Sequence, residues 1–258
     1  MIDELDAKRC AEALYDERIS SNLDAIEAAG QWGEKTLVPL ICKEIFKKIE
    51  IKKEDKVLEI GCGSGVLGNY LKKYCAEYYG VDISFKMLQK FFEEYNSERK
   101  CTLIQAISDK LPFPTNTFSM VVINGVTMYL HGNDLLEKTL TEIERISTKN
   151  AVIFIGENVI PSRIYWEYRW FQNLNYFAQQ VAKPYIKIRL WLAQRNSKLV
   201  GKWKFFHYAV SPNLIKKFFD GKGQIYLSDA AAMTIKKRKY GKYWKGNRRM
   251  DFVIKLGS

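Results

Sequence analysis

Between Lys56 and Ile155 the apolar positions follow two habits. Short unbroken runs, such as Val121-Val122-Ile123 and Val152-Ile153-Phe154-Ile155, are separated by longer stretches where apolar residues recur every three or four positions. The first habit belongs to strands buried on both faces, the second to amphipathic helices. The spacing predicts strands near 56–60, 78–82, 101–106, 119–124 and 151–156, with helices at 64–76, 84–97 and 133–147. Strands separated by helices build βαβ units and therefore a parallel sheet. Ligands of such sheets bind beyond the carboxyl ends of the strands, where chain direction reverses. That rim holds Gly61–Gly65, Asp82, Ile83, Ala106, Ile107 and Asn124.

The flanks are patterned differently. Leu5, Cys10, Leu14, Ile19, Leu23 and Ile26 keep helical spacing until Gly30 and Gly33 interrupt it, and a second helix is expected from about Lys35 to Ile49. Downstream, residues 162–182 carry a helical stripe (Ile164, Tyr168, Phe171, Leu174, Ala178, Val181), while residues 185–192 fit helix or strand equally. A helix near 211–219 then precedes strands near 224–228 and 250–256.

The first strand ends in a loop of unusual composition. Val57-Leu58-Glu59-Ile60-Gly61-Cys62-Gly63-Ser64-Gly65 delivers a buried strand into a glycine turn, with a helix expected to open from about Ser64. Residues without Cβ atoms let a backbone lie directly against a ligand. Asp82 closes the second strand, where a doubly wound sheet places a carboxylate against ribose hydroxyls. The pair points to a nucleoside-containing cofactor. A dinucleotide requires Gly-x-Gly-x-x-Gly at the end of the strand. From Gly61 the third position falls on Val66, and from Gly63 the strand must run on through Gly61. Glu59 would also set negative charge beside a pyrophosphate. A cationic adenosyl donor suits an acid there.

With these features the chain resembles the class I S-adenosylmethionine-dependent methyltransferases. The resemblance continues in Leu111-Pro112-Phe113-Pro114-Thr115-Asn116-Thr117-Phe118, which is similar to the family's "LPFP-x-x-x-F" loop, and in the fourth strand, Val121–Val126. It covers roughly residues 36–160, with weaker cover of the final strands. It implies an α/β fold: a seven-stranded, Rossmann-like, doubly wound sheet whose last two strands are antiparallel. It also implies S-adenosylmethionine as cofactor, held by Glu59, Gly61, Gly63, Gly65, Asp82, Ile83, Ala106, Ile107 and Asn124. Relatives often fold N-terminal helices over the cofactor, which makes Tyr15 and Trp32 lid and substrate-binding candidates. Four segments follow: a helical lid (1–50), a cofactor-binding core (51–160), a basic aromatic insertion capping the acceptor (161–208), and a helix with strands completing the sheet (209–258). Two positions depart from the family. The third strand ends Gln105-Ala106 where an acid is common, which leaves the Gln105 amide or the Ala106 and Ile107 backbone to meet the adenine edge, and Tyr129 stands where a histidine is usual, with His131 two residues on.

Composition narrows the class. The chain has 258 residues, 47% of them hydrophobic, which suffices for a full core. No apolar stretch reaches the roughly 18 residues that span a bilayer, and the acidic start Met1–Asp6 has no signal-peptide pattern. Five scattered cysteines (Cys10, Cys42, Cys62, Cys75, Cys101) without C-x-x-C suggest free thiols in a reducing cytoplasm and argue against a metal site. Charge is strongly polarised. Residues 160–258 hold 21 of the 41 Lys and Arg but 4 of the 29 Asp and Glu, a net of +17 against −5 for residues 1–159.

Methyl transfer from a sulfonium is an in-line displacement, so the protein must position two groups and manage the acceptor's proton. An oxyanion needs no base, whereas a hydroxyl benefits from one. Histidines occur only at 131 and 207. His131, Tyr129 and Glu157, at the end of the fifth strand, are the catalytic candidates, each with a structural role as the alternative. The basic C-terminal third supports three readings. Arg163 and Arg169 can roof the cleft over a small anionic acceptor, such as a phosphorylated, nucleotide-linked or surface-polysaccharide precursor metabolite. The basic segment 236–249, expected as a loop, can instead meet an anionic membrane or lipid-linked acceptor, or bind RNA. LPFP-type relatives mostly resemble small-metabolite enzymes, which favours O-methylation of the first acceptor class. Asn124-Gly125-Val126-Thr127 stands where amino-group methylases carry an Asn-Pro-Pro-Tyr type motif, which disfavours nucleobases. A non-catalytic RNA- or membrane-binding relative is the alternative from a different class.

Overall fold

The structure is a computed structural model that describes residues 12–13, 15–16, 19, 23–29, 34–95, 101–130, 132–159, 174–195, 209–240 and 249–257. Among the candidates named above, Trp32, His131, Arg163 and Arg169 lie outside the described residues.

Seven strands form one sheet: β1 (Lys56–Ile60), β2 (Glu77–Asp82), β3 (Cys101–Gln105), β4 (Phe118–Asn124), β5 (Ser147–Asn158), β6 (Gly223–Asp229) and β7 (Met250–Leu256). Their order is β3-β2-β1-β4-β5-β7-β6. β1 is parallel to both neighbours, and β7 is antiparallel to β5 and β6. The order reverses between β1 and β4, so the connections that leave their carboxyl ends part to opposite sides and leave the crevice that such sheets use for ligands.

The helices are α1 (Ala25–Ala29), α2 (Val38–Ile49), α3 (Gly68–Leu71), α4 (Phe85–Tyr95), α5 (Asn133–Ile146), α6 (Tyr176–Arg195), α7 (Pro212–Phe218) and α8 (Ala231–Tyr240). They cover both faces, which is why the inner strands carry apolar residues at successive positions. Val57 joins a core with Tyr78, Val122, Phe91 and the Ile41–Ile45 face of α2. Leu58, one residue on, joins the opposite core with Val121, Ile153 and the Leu136, Leu140 and Ile143 face of α5. The period-two alternation of a strand assigns neighbours to opposite layers.

Three expectations change. The helix expected over 64–76 is confined to α3, with turns on both sides. Residues 185–192, left between helix and strand, lie within α6. Its start is set by Asn175, whose side-chain carbonyl accepts the Ala178 N–H at 2.9 Å. The basic segment expected as a loop from 236 is helical as far as Tyr240. There Asp251 of β7 accepts the Ala231 N–H at 2.9 Å, capping α8 from a distant strand.

The LPFP segment is a clamp between β4 and α5. Arg145 donates to the Phe113 and Leu111 carbonyls at 2.7 and 3.1 Å, and Glu142 accepts the Leu111 N–H at 2.8 Å. Phe113 stands edge-on to Phe118 and Tyr79. These contacts fix how β4 enters the sheet, and hence where its carboxyl end delivers Asn124.

Candidate active site

The loop after β1 is built by backbone requirements. Gly61, Gly63 and Gly65 have φ of +69°, +52° and +82°, a region that residues with a Cβ enter at a cost. A Cβ on Gly61 would sit 2.2 Å from Val126 Cγ2, and one on Gly65 would sit 2.2 Å from the Phe91 ring. One on Gly63 would meet nothing within 4 Å. Gly61 and Gly65 are thus glycines for packing, whereas Gly63 borders open space.

That space is a cleft of about 970 Å³, including its open mouth, at the carboxyl ends of the strands. Glu59, Gly61 and Gly63 line it from β1 and its loop, Asp82 and Ile83 from β2, Ala106 and Ile107 from β3, and Asn124 from β4. Tyr15, Ala29 and Tyr129 also face it. Gly65 is not on the lining, and its contact with Phe91 holds the loop against α4.

Asp82 joins the strand to the loop. Its Oδ2 accepts the Gly63 N–H at 2.8 Å and its Oδ1 accepts the Ser84 N–H at 2.9 Å. Each carboxylate oxygen keeps a second lone pair for an incoming hydroxyl. Burial pushes the Asp82 carboxyl up to about 6 against the two N–H bonds, which favour its charged form. Glu59 is deeper. Burial pushes it up to about 8, although the Tyr78 hydroxyl, donating at 2.6 Å, supports the charge. At neutral pH Glu59 is therefore protonated and Asp82 mainly ionised, and the Asp82 charge is one that a cationic ligand relieves and a pyrophosphate worsens.

The N-terminal segment is tied to this loop. Ser64 Oγ donates to the Ala25 carbonyl at 2.5 Å, Ser84 Oγ to Asp16 at 2.7 Å, and the Glu94 carboxylate accepts the Ala25 N–H at 3.2 Å. Tyr15 stands against the Tyr129 ring, which belongs to a single turn, Thr127–Tyr129, after β4. Glu157 sits apart from the lining. It is buried at the end of β5 with its Oε2 3.5 Å from Arg249 Nη1. Gln105, considered for adenine recognition, donates its amide to the Ile83 carbonyl at 3.0 Å, so that strand end offers Ala106 and Ile107 instead. Met87, Leu130 and Leu135 also line the cleft, unannounced by any motif, since ordinary apolar residues acquire that role only through packing. Among the described residues no helix is long and apolar enough to cross a membrane, and no group of His, Cys, Asp or Glu could hold a metal.

The cleft fits S-adenosylmethionine. Gly63 leaves room for a ligand against the backbone, and the Asp82 carboxylate offers acceptors that fit ribose hydroxyls and a charge that fits a cationic donor.

Comparison with known proteins agrees. Residues 58–155 match the methyltransferase domain family. A malonyl-[acyl-carrier protein] O-methyltransferase of Legionella pneumophila is 28% identical over 117 residues, covering 44% of this chain and 40% of that protein. The chain thus spans well under half the length of that relative. Phosphoethanolamine N-methyltransferase 1 of Haemonchus contortus, solved with phosphoethanolamine and S-adenosylhomocysteine, superposes with TM-score 0.70 at 13% identity, covering 100% of this chain and 50% of that one. The N-methyltransferase NodS of Bradyrhizobium japonicum, with S-adenosylhomocysteine, gives 0.63 at 9% identity, covering 96% and 98%. These two show the shared fold. Sheet order, glycine cradle, Asp82 and the match over 58–155 agree: residues 58–155 form a methyltransferase domain, and the fold around it is that of the class I S-adenosylmethionine-dependent methyltransferases.

Proposed function

We propose that the protein methylates an oxygen of a small anionic acceptor, such as a phosphorylated, nucleotide-linked or surface-polysaccharide precursor metabolite. The observation that carries the methyl-transfer reading is the bond between Asp82 and Gly63 at the floor of a cleft walled by Tyr15 and Tyr129. When bound, S-adenosylmethionine supplies an electrophilic methyl group. Asp82 holds the ribose through its free lone pairs, and Ile83, Ala106 and Ile107 flank the base. The Asp82 charge favours the donor's positive charge, and Glu59 sets a polar, protonated carboxyl beside it. Val126, Leu130 and Leu135 keep water from the reacting centre, and the Tyr129 hydroxyl accepts a hydrogen bond from the acceptor's hydroxyl and relays its proton toward the open mouth of the cleft as the methyl group is taken up. Glu157, which is not on the lining, acts in this reading through Arg249 and the end of β5.

The acceptor's charge is inferred from the C-terminal third, with its 21 cations and 4 acids. The described lining carries Glu59 and Asp82 and no Lys or Arg. Arg163 and Arg169 are therefore the residues proposed to receive the anion. Cys42 and Cys62 are buried free thiols, in keeping with a cytoplasmic location. Nucleic acid is the less favoured partner, for want of an amino-methylase motif after β4.

The test is incubation with methyl-labelled S-adenosylmethionine and a fractionated extract, followed by identification of the labelled compound. A labelled phosphorylated or nucleotide-linked product supports the proposal. A neutral labelled product refutes the anionic acceptor, and S-adenosylhomocysteine binding without transfer to any fraction refutes the enzyme.

A further inference from the structure

We propose that α6 lies on the surface of an anionic lipid bilayer, with the stripe Phe177, Val181, Tyr185 and Ile188 entering the headgroup boundary. Spacings of four, four and three residues put these side chains on one face of the helix. They are 78%, 64%, 54% and 57% exposed, with Tyr176 beside them at 79%. The opposite side packs inward through Ile186, which is 2% exposed. A row of large apolar side chains left in water marks a surface meant to be covered. The chemistry of the helix selects what covers it. Its charged residues are Lys183, Lys187, Arg189 and Arg195, with no acid in 20 residues. Residues 160–258 as a whole are almost as one-sided. A second copy packed on this stripe would bring a second set of cations against the first, so like charge opposes self-association. An anionic bilayer supplies both complementary charge and an apolar layer, and tyrosine suits the boundary between them. The helix is not apolar enough to span a membrane, so it docks in the plane of the surface. This inference rests on the outer face of α6 and does not depend on the methyl-transfer reading.

The experiment is flotation of the full chain with vesicles of phosphatidylcholine alone or with about 30% phosphatidylglycerol. Binding is expected to be at least tenfold stronger to the anionic vesicles and to weaken with salt. The double variant Phe177→Ser/Ile188→Ser should lose about tenfold in binding while retaining S-adenosylhomocysteine affinity and melting temperature, which shows that the fold is intact. Equal binding by wild type and double variant overturns the proposal. So does a loss produced by neutralising Lys236, Lys237, Arg238 and Lys239 but not by the stripe substitutions. Sedimentation showing a dimer that the double variant dissociates, without vesicle binding, would assign the stripe to a second copy and equally overturn it.

Discussion

Tyr15 stands edge-on to Tyr129, with ring centroids 5.6 Å apart and planes at 76°. The contact joins the N-terminal segment to the turn after β4, and both rings line the cleft. An edge-to-face pair of this kind contributes about 0.5–1.5 kcal/mol beyond its buried area. It gives the N-terminal segment a specific foothold on the residue proposed to manage the acceptor's proton.

Two substitutions separate these roles. Tyr129→Phe keeps the ring and removes the hydroxyl, so kcat should fall by roughly 10²–10⁴ while S-adenosylhomocysteine affinity stays within about threefold. Tyr15→Ala keeps the hydroxyl of Tyr129 and removes its partner, so cofactor affinity should weaken several-fold with a smaller loss of kcat. Calorimetry with steady-state kinetics reads both, and an unchanged kcat in Tyr129→Phe would remove that residue from the chemistry.

The carboxylate of Asp82 sets a pH dependence for cofactor binding. Its pKa is raised to about 6, and ribose hydroxyls donate to the ionised form. Below pH 6 the free protein must lose a proton to bind, so Kd should rise by up to about tenfold per pH unit. Above pH 7 it should be flat. Asp82→Asn is expected to bind at least tenfold more weakly, with the slope near pH 6 gone. Titration calorimetry between pH 5 and 8 checks this; a wild-type Kd independent of pH would exclude Asp82 as the ribose acceptor.

Glu59 acts on the stability of the protein without ligand. Its carboxyl is raised from 4.5 to about 8, so between those values the folded state holds a proton that the unfolded state releases. Stability from this group is complete below about pH 4.5 and is lost as pH rises through about 8. Asp82 adds the same trend between 3.8 and about 6. The melting temperature should therefore decline from pH 5 to 9, by an amount worth on the order of a few kcal/mol. In Glu59→Gln the amide still accepts the Tyr78 hydroxyl, and the decline above pH 6 should flatten. A slope identical to wild type would show that Glu59 ionises freely in the fold.

The residues legible in the sequence were those whose chemistry is local. Gly63 and Asp82 could be read because a backbone cradle and a strand-end carboxylate leave a fixed spacing. β7 was found to the residue, as an apolar run with clean ends. What escaped depends on distant partners. The helix expected from Ser64 is shortened because Gly65 and Gly68 fit against Phe91 and Tyr78. A Cβ on Gly65 would lie 2.2 Å from Phe91 and one on Gly68 2.3 Å from Tyr78, and neither partner is near in sequence. Helical structure through Lys236–Lys239 follows partly from the cap that Asp251 gives Ala231, a bond spanning 20 residues. Gln105 looked available to adenine until the fold set its amide against Ile83.

The two kinds of glycine in the loop give a final contrast. Gly65→Ala drives a methyl to within 2.2 Å of the buried Phe91 ring at φ +82°, and Phe91 is locked in the core that also holds Tyr78. Ring and loop must both move, at a cost of about 2–4 kcal/mol, so the denaturation midpoint should fall clearly. Gly63→Ala meets no protein atom within 4 Å and loses about 1 kcal/mol through its φ of +52°. Its methyl occupies space that a bound cofactor needs, on the residue whose N–H is fixed to Asp82 at 2.8 Å. The expected pattern is therefore crossed. Gly63→Ala loses at least tenfold in S-adenosylhomocysteine affinity with a modest loss of stability, and Gly65→Ala the reverse at temperatures where it remains folded. Paired urea melts and calorimetry decide it, and wild-type affinity in Gly63→Ala would mean that the cofactor does not lie against this loop.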